Sequence, residues 1–391
     1  MTTAATERVC FVGAGTMGCA NSLVSAVAGH RVRVYDVSDE ALERVPDRYE
    51  EIGRFLLAVG YCSAADVAAG RDRITLTTDL EAATADADLV SESVFERLDL
   101  KRDVHARLDR VCPTHTILTT NTSVLLVSDI EDVVARGDRF AALHSHLASL
   151  LVDIVGGPRT SPATIDTLRS YVLGLGATPL VLKREHRGYV VNALVGSLLT
   201  AAMRLHVEHG LTIHDVDRAW MVGRRTPMGP FGMIDLFGTD VVLESWTRDE
   251  EDGVRRELAA RIVPPLRALV DAGRLGQKTG AGFYRYPAPE YQEPGFLDDA
   301  VSTEVGDALT TALVLGALAL VEADVADPDD IDHAWTAATL LDAGPLAIAD
   351  RTGTLELRRA LDRQIERGLA EPADHRLLDV YDALARSGTD H

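Results

Sequence analysis

Residues 8–20 read Arg8-Val-Cys-Phe-Val-Gly13-Ala-Gly15-Thr16-Met17-Gly18-Cys-Ala20, and after a helical run the chain continues Arg31-Val-Arg-Val-Tyr-Asp36. The apolar run at 9–12 has the character of a strand buried on both faces. Gly13, Gly15 and Gly18 then follow at G-x-G-x-x-G spacing. The first permits a tight turn, the second lets backbone approach a pyrophosphate, and the third lets a helix pack close to the strand. Thr16 and Met17 open that helix, whose N-terminus offers free N–H groups and the positive dipole end to phosphates. A second strand at 31–35 ends in Asp36, at the distance where an acid holds a ribose 2′-hydroxyl and favours NAD over NADP. The ordinary alternative is a glycine-rich turn in another α/β protein. Strand, glycines, helix and acid together point to a dinucleotide site.

Composition bounds the rest. At 391 residues the chain is long enough for two or three domains, and 46% hydrophobic content is ample for their cores. A formal charge of −21 argues against general binding to nucleic acid or a membrane surface, so a polyanionic substrate needs a local basic pocket. Four cysteines without C-x-x-C spacing predict neither a disulfide framework nor zinc, and no metal is expected. A strand beginning at Val9 leaves no room for a signal peptide, and the apolar runs read as too short to span a bilayer. The expectation is a soluble, cytoplasmic protein. Only three lysines, Lys101, Lys183 and Lys278, stand against 36 arginines. Such positions are candidates for a compact ammonium where a planar fork does not serve.

Buried-strand runs recur at 73–77, 87–91, 116–119, 139–145, 151–155 and 179–182, with an amphipathic helix at 98–112 among them. Strands alternating with helices predict a parallel, Rossmann-type sheet over residues 1–185. From about His186 the period becomes 3.6. A long apolar helix is expected at 189–211, a rigid turn at Pro227-Met-Gly-Pro-Phe231, and helices to the end except at 273–294. The expected fold class is therefore an α/β Rossmann-type N-terminal domain followed by an all-α C-terminal part.

That helical part repeats itself. Residues 193–239, shifted by 115, lie on 308–354 without a gap, and 14 of the 47 positions are identical. The identities include Asp217/Asp332, Trp220/Trp335, Gly229/Gly344, Pro230/Pro345, Asp235/Asp350 and Gly238/Gly353. This predicts a duplicated helical domain, with copies at 186–294 and 295–391. Asp307 stands where the first copy has Asn192, and nothing in the second copy matches Leu275-Gly-Gln-Lys-Thr-Gly-Ala-Gly-Phe-Tyr284, so the second copy reads as structural.

Taken in order, Gly13-Ala-Gly-Thr-Met-Gly18, Glu92-Ser-Val-Phe-Glu96 with Lys101, Asn121-Thr-Ser123, Gly188-Tyr-Val-Val-Asn192, the Pro227–Phe231 turn and the Leu275–Tyr284 segment resemble the L-3-hydroxyacyl-CoA dehydrogenase family. The resemblance implies NAD-dependent interconversion of a 3-hydroxyacyl thioester and its 3-oxo form. It implies His144 as the general base, Asp153 as its carboxylate partner, and Ser123 and Asn192 as the residues that hold the reacting oxygen. Glu96, Lys101 and Asn121 fall on the cofactor side. Family members with one C-terminal domain pair through it. The duplicate then makes this chain a monomer with an internal pseudo-dimer, or else whole chains form a homodimer. The chemistry stands on its own terms as well. A histidine titrates near operating pH, a carboxylate fixes its tautomer, and hydroxyl and amide donors stabilise charge on the oxygen.

The departures are specific. Where the family has His-Phe-Phe-Asn-Pro, this chain has His144-Ser-His146-Leu-Ala148. The carboxylate follows His144 by nine positions where twelve is expected, and it is Asp, not Glu. On a strand His144 and His146 face one side, so either is a candidate base, with His144 favoured by its place after Arg139-Phe140. Two further hypotheses follow from this loop: the same hydride chemistry on a carrier-bound or free hydroxy acid, or a non-catalytic NAD-binding scaffold with a decayed dyad. Arg224 and Arg225 are candidates for a CoA phosphate, with a solvated arginine pair as the ordinary alternative.

Overall fold

The computed structural model of the chain describes residues 6–146, 149–247, 253–339 and 341–387. Its sheet has eight strands, β1 (Arg8–Val12), β2 (Arg31–Tyr35), β3 (Ile74–Thr77), β4 (Leu89–Glu92), β5 (Ile117–Thr120), β6 (Phe140–Ser145), β7 (Leu151–Gly156) and β8 (Thr178–Leu182), in the order β3-β2-β1-β4-β5-β6-β7-β8. Strands β1 to β6 run parallel, β7 runs antiparallel to β6, and β8 is parallel to β7. Each strand expected from an apolar run is present, with its ends moved by at most two residues. The chain steps outward from β1 to β3 and then restarts at β4 on the other side of β1. A doubly wound sheet binds ligands where its strand order reverses in this way, beyond the carboxyl ends of β1 and β4.

Helix Thr16–Val27 packs against helices Val45–Ala58 and Ala64–Arg71, the helical excursion between β2 and β3. On this side of the sheet Val9, Phe11, Leu23, Val34, Tyr49 and Ile154 belong to one apolar core. Ser22 and Ser25 on the buried helix face are satisfied by the hydroxyls of Tyr49 and Tyr171.

The chain divides into two compact units, Met1–Val191 with Asp324–Asp330, and Asn192–Ala323 with Ile331–His391. In the second unit the 115-residue shift carries helix Ile213–Arg224 onto Pro328–Thr339 and Pro230–Phe237 onto Pro345–Thr352, end for end. The reason is local. Asp217 accepts hydrogen bonds from the backbone N–H groups of Phe231 (2.8 Å) and Gly232 (3.0 Å). Asp332 accepts from Leu346 (2.8 Å) and Ala347 (2.7 Å) in the same way. Each aspartate caps the following short helix, whose first residue is a proline that needs no partner. Gly229 and Gly344 precede those prolines because a Cβ there would lie 2.4 and 2.2 Å from the Cγ of the capping aspartate.

Helix Thr303–Glu322 packs on Ile213–Arg224, Pro345–Thr352 and His375–Ser387. Among the described residues it is long and apolar enough to cross a membrane by length and composition, with half of its apolar window buried. This corrects the expectation that every apolar run is too short. Its acids, Glu304, Asp307 and Glu322, fall at the two ends and leave a long apolar middle.

Candidate active site

The glycine loop has the backbone that its spacing requires. Gly13 sits at φ +104°, where a Cβ would come within 2.7 Å of the Ser93 carbonyl oxygen, so β1 and β4 leave it no side chain. At Gly18 a Cβ would lie 1.8 Å from the Gly13 oxygen, which is the close helix–strand approach. Around Gly15 the corresponding space is open. Helix Thr16–Val27 has Gly15 as its N-cap, no capping side chain and no acid in its first turn. Its first N–H groups therefore remain available to an anion, and Thr16 is exposed beside them while Met17 is half-buried. These features fit a dinucleotide pyrophosphate. Asp36 ends β2 half-buried, its carboxylate accepting from the N–H of Ala14 (2.8 Å) and of Ser38 (3.0 Å). It thus ties the glycine loop to the strand end where a ribose would lie.

At the end of β4, Glu92 is fully buried and accepts from Lys101 Nζ (2.7 Å), His105 Nε2 (3.1 Å), Thr120 Oγ1 (2.8 Å) and the Val94 N–H (2.6 Å). Burial works against its charge, yet the hydrogen bond from His105 and the Lys101 ammonium outweigh it and hold the carboxyl down to about 2. Lys101 is buried and ion-paired to Glu92 and, at 3.4 Å, to Glu96. Its short reach and compact charge explain a lysine here. Lys183 and Lys278 are half-exposed and paired to Asp327 and Asp240. Glu96 turns back to accept from the Thr122 hydroxyl and from the N–H groups of Ser123 (3.2 Å) and Val124 (3.3 Å). Asn121 continues the ladder with its N–H on the Glu92 carbonyl (2.8 Å), and its side-chain oxygen accepts the Ser145 N–H at 2.9 Å. Asn121 therefore pins the end of the strand that carries His144.

His144 and Asp153 are directly opposed residues of the β6–β7 pair. His144 Nδ1 lies 2.9 Å from Asp153 Oδ2, and His146 Nε2 lies 2.8 Å from the same oxygen. The shortened connection thus still delivers the carboxylate; Leu147 and Ala148 within it lie outside the described residues. Burial favours the neutral acid at Asp153, but the hydrogen bonds of the two histidines prevail and lower its pKa. His144 turns Nδ1 to the carboxylate and so leaves Nε2 as its outer nitrogen, whereas His146 engages through Nε2. Tyr189, a buried residue at φ +50° that sequence reasoning passed over, lies with its ring centroid 5.4 Å from that of His144. Burial, then the charges of Asp153 and Glu96, push its phenol well up, so it stays protonated. A tyrosine beside the glycine of Gly188-Tyr189 was its only sequence signal.

Two residues differ from expectation. Asn192, although it belongs to an apolar helix, is exposed in the first turn of helix Val191–Val207. Arg224 is not a solvated arginine: it donates to the Thr310 hydroxyl at 2.6 Å and lies over the Trp220 ring, while Arg225 is exposed in a left-handed helix cap.

Comparison with known proteins bears on the same residues. The model of the 3-hydroxyacyl-CoA dehydrogenase NAD binding domain matches residues 8–185, and that of the 3-hydroxyacyl-CoA dehydrogenase C-terminal domain matches 188–286. The mitochondrial hydroxyacyl-coenzyme A dehydrogenase of Rattus norvegicus is 32% identical over 291 residues, which are 72% of this chain and 91% of that protein. A probable 3-hydroxybutyryl-CoA dehydrogenase of Bacillus subtilis is 31% identical over 289 residues, covering 72% and 97%. The crystal structure of a 3-hydroxybutyryl-CoA dehydrogenase from Escherichia coli K12 superimposes with a TM-score of 0.83 over 99% of this chain and all of that one. At 24% identity this last likeness concerns the fold, and it extends through the C-terminal third.

Proposed function

The chain belongs to the 3-hydroxyacyl-CoA dehydrogenase family, and we propose that His144 is the base with which this NAD-dependent oxidoreductase interconverts 3-hydroxyacyl-CoA and its 3-oxo form. The observation that carries the assignment is the 2.9 Å contact of His144 Nδ1 with the buried Asp153 carboxylate, at the same strand-end edge of the sheet as the glycine loop. NAD, when bound, accepts the hydride from the hydroxyl-bearing carbon. The protein's own part is to move and hold a proton. With its N–H turned to Asp153, the neutral imidazole keeps the Nε2 lone pair free to take the hydroxyl proton. The imidazolium that forms is stabilised by the ionised Asp153. Asn121 fixes the strand end beneath His144, and Glu96 shapes the turn at Ser123. Ser123 and Asn192, by their places in the family motifs, hold the reacting oxygen. Gly13, Gly15, Gly18 and the first turn at Thr16 and Met17 bind the pyrophosphate, Asp36 the ribose, and the Glu92–Lys101–Glu96 network supports that side of the site.

The scaffold hypothesis rested on the shortened loop alone. With Asp153 within hydrogen-bond distance of both histidines, nothing now favours it. We further infer that residues 295–391 are a second, structural copy of the helical domain. In support, the capped Gly-Pro turn recurs, Asp307 pairs with Arg363 where the first copy has Asn192, and Arg224 of the first copy bonds Thr310 of the second. On this reading the copies pair within one chain, which favours a monomer. Purified protein is expected to form NADH from NAD and an L-3-hydroxyacyl-CoA. His144→Ala abolishes this while NAD still binds. An active His144→Ala enzyme overturns the assignment, and a panel including carrier-bound and free hydroxy acids fixes the acyl carrier. Sedimentation as a dimer held by residues 193–240 removes the monomer.

A further inference from the structure

The β6–β7 hairpin holds one imidazole more than a proton-transfer dyad needs. His144 Nδ1 and His146 Nε2 converge on the same oxygen of Asp153, at 2.9 and 2.8 Å, and the three ligand atoms lie within 4.8 Å of one another. The arrangement is built into the backbone. Residues two apart project to one side of an extended chain, and Asp153 is opposed to His144 by strand register. All three side chains are at least nine-tenths shielded from solvent, so little freedom is lost in bringing them together.

A second observation concerns the other carboxylate oxygen. Asp153 Oδ1 is buried and has no hydrogen-bond partner among the described residues. A buried, unpartnered charged oxygen carries a full desolvation penalty, and a cation is one of the few things that relieves it. Two neutral imidazoles and a carboxylate are borderline donors of the kind zinc takes, and three protein ligands leave a fourth position open.

We propose that His144, His146 and Asp153 form a binding site for a divalent transition-metal ion, zinc by preference, and that its occupation turns off the base at His144. A metal on Nδ1 of His144 and Nε2 of His146 takes the lone pair of each nitrogen. The ring protons then move to His144 Nε2 and His146 Nδ1, with none gained or lost overall. His144 Nε2 becomes an N–H donor at the atom that would otherwise accept the substrate's proton. Metal binding and proton abstraction therefore exclude one another. The binding half of this proposal is independent of the dehydrogenase reading; the inhibition half rests on it.

The test is zinc titration of the chelator-treated full-length protein in competition with a chromogenic chelator, repeated with cobalt to read the visible bands of a low-symmetry site. One equivalent is expected to bind. His146→Gln and Asp153→Asn each weaken it by at least about tenfold, since even the loss of an outer-shell partner of a ligand commonly costs that much. In the NADH assay zinc inhibits wild type, EDTA reverses it, and His146→Gln requires at least about ten times more zinc to halve its own metal-free rate. Absence of binding in wild type, or binding indifferent to both substitutions, overturns the site. Binding at the expected stoichiometry without inhibition overturns the switch. A protein inactive on every substrate but binding zinc through these residues keeps the site and loses the dehydrogenase reading.

Discussion

Asp153→Asn isolates the carboxylate of the proposed dyad with hardly any change of volume. In the native protein one oxygen, Oδ2, receives both His144 Nδ1 and His146 Nε2. An amide has one acceptor oxygen and one NH2. If the oxygen faces His144, the ring keeps its tautomer but loses the negative charge that stabilises the imidazolium. A hydrogen bond to a charged partner contributes about 1.5–3 kcal/mol, which is roughly 10- to 150-fold in rate. If the NH2 faces His144, the ring proton moves to Nε2 and the base is gone. In serine proteases the same exchange lowers kcat by about 10⁴. The expected result is a kcat lower by about 10- to 10⁴-fold, the span between these two limits.

The assay is NADH formation at saturating 3-hydroxyacyl-CoA, with NAD affinity read separately by quenching of protein fluorescence. NAD affinity should stay within about twofold, because Asp153 bonds to the two histidines and not to the Gly13–Gly18 loop. A variant that keeps a third or more of the native kcat refutes the dyad. The two histidines are then separated by single substitutions. His144→Ala should cost as much as Asp153→Asn or more, and His146→Ala much less. The reverse order makes His146 the base.

Three other outcomes follow from the geometry. Asp36→Ala removes acceptors from the Ala14 and Ser38 N–H groups together with the proposed ribose contact, so KM for NAD should rise by about tenfold or more, measured at saturating thioester. Gly18→Ala places a methyl 1.8 Å from a main-chain oxygen, which no rotamer relieves; a stability loss above about 3 kcal/mol is expected in urea unfolding, and a normal transition would contradict the close approach. Glu92 ionises near 2 in the native protein against 4.5 ordinarily, so it contributes stability in full above pH 4.5 and loses it as pH falls toward 2, about 3 kcal/mol in all; Glu92→Gln should be less stable at pH 6 and flatter between pH 5 and 3, and parallel acid curves for the two proteins would refute this.

Much of the fold was legible because each signal is local. The run at 9–12, the three glycines and Asp36 specify strand, turn, helix and strand without reference to distant residues. The 3.6 period after His186 is equally local, and the 115-residue repeat is visible on comparing the sequence with itself, whatever contacts the two copies make. What escaped was set by pairing across the chain. Lys101 and His105 lie four apart on one helix face, a signal that both could point the same way, but only β4 beneath them makes Glu92 their common partner. The motifs put Asn121 and Glu96 on the cofactor side, yet each is also engaged with backbone, at Ser145 and at Ser123–Val124. Asn192 lies in an apolar helix, but the first turn of a helix is where such a side chain most easily stays exposed, and it does. The identities Asp217/Asp332 and Gly229/Gly344 were visible, but a cap twelve residues away from its turn is not a property of either position alone.

The short connection after His144 shows why spacing misled where register did not. Directly opposed residues of an antiparallel pair always share a face, whatever the loop length, and their Cβ atoms stand about 4.5–5.5 Å apart. Shortening a loop therefore does not turn a side chain away; it changes which residue is opposed. Here β7 begins at Leu151, which sets Asp153 against His144 and Val152 against Ser145. Across such a gap an aspartate suffices, and the extra methylene of a glutamate would have to fold back to keep the 2.9 Å contact. The missing residues and the shorter acid thus belong together as one change. His146, two residues on from His144 and so on the same side of the chain, reaches the same oxygen at 2.8 Å, and the second histidine follows from the geometry that rescues the first.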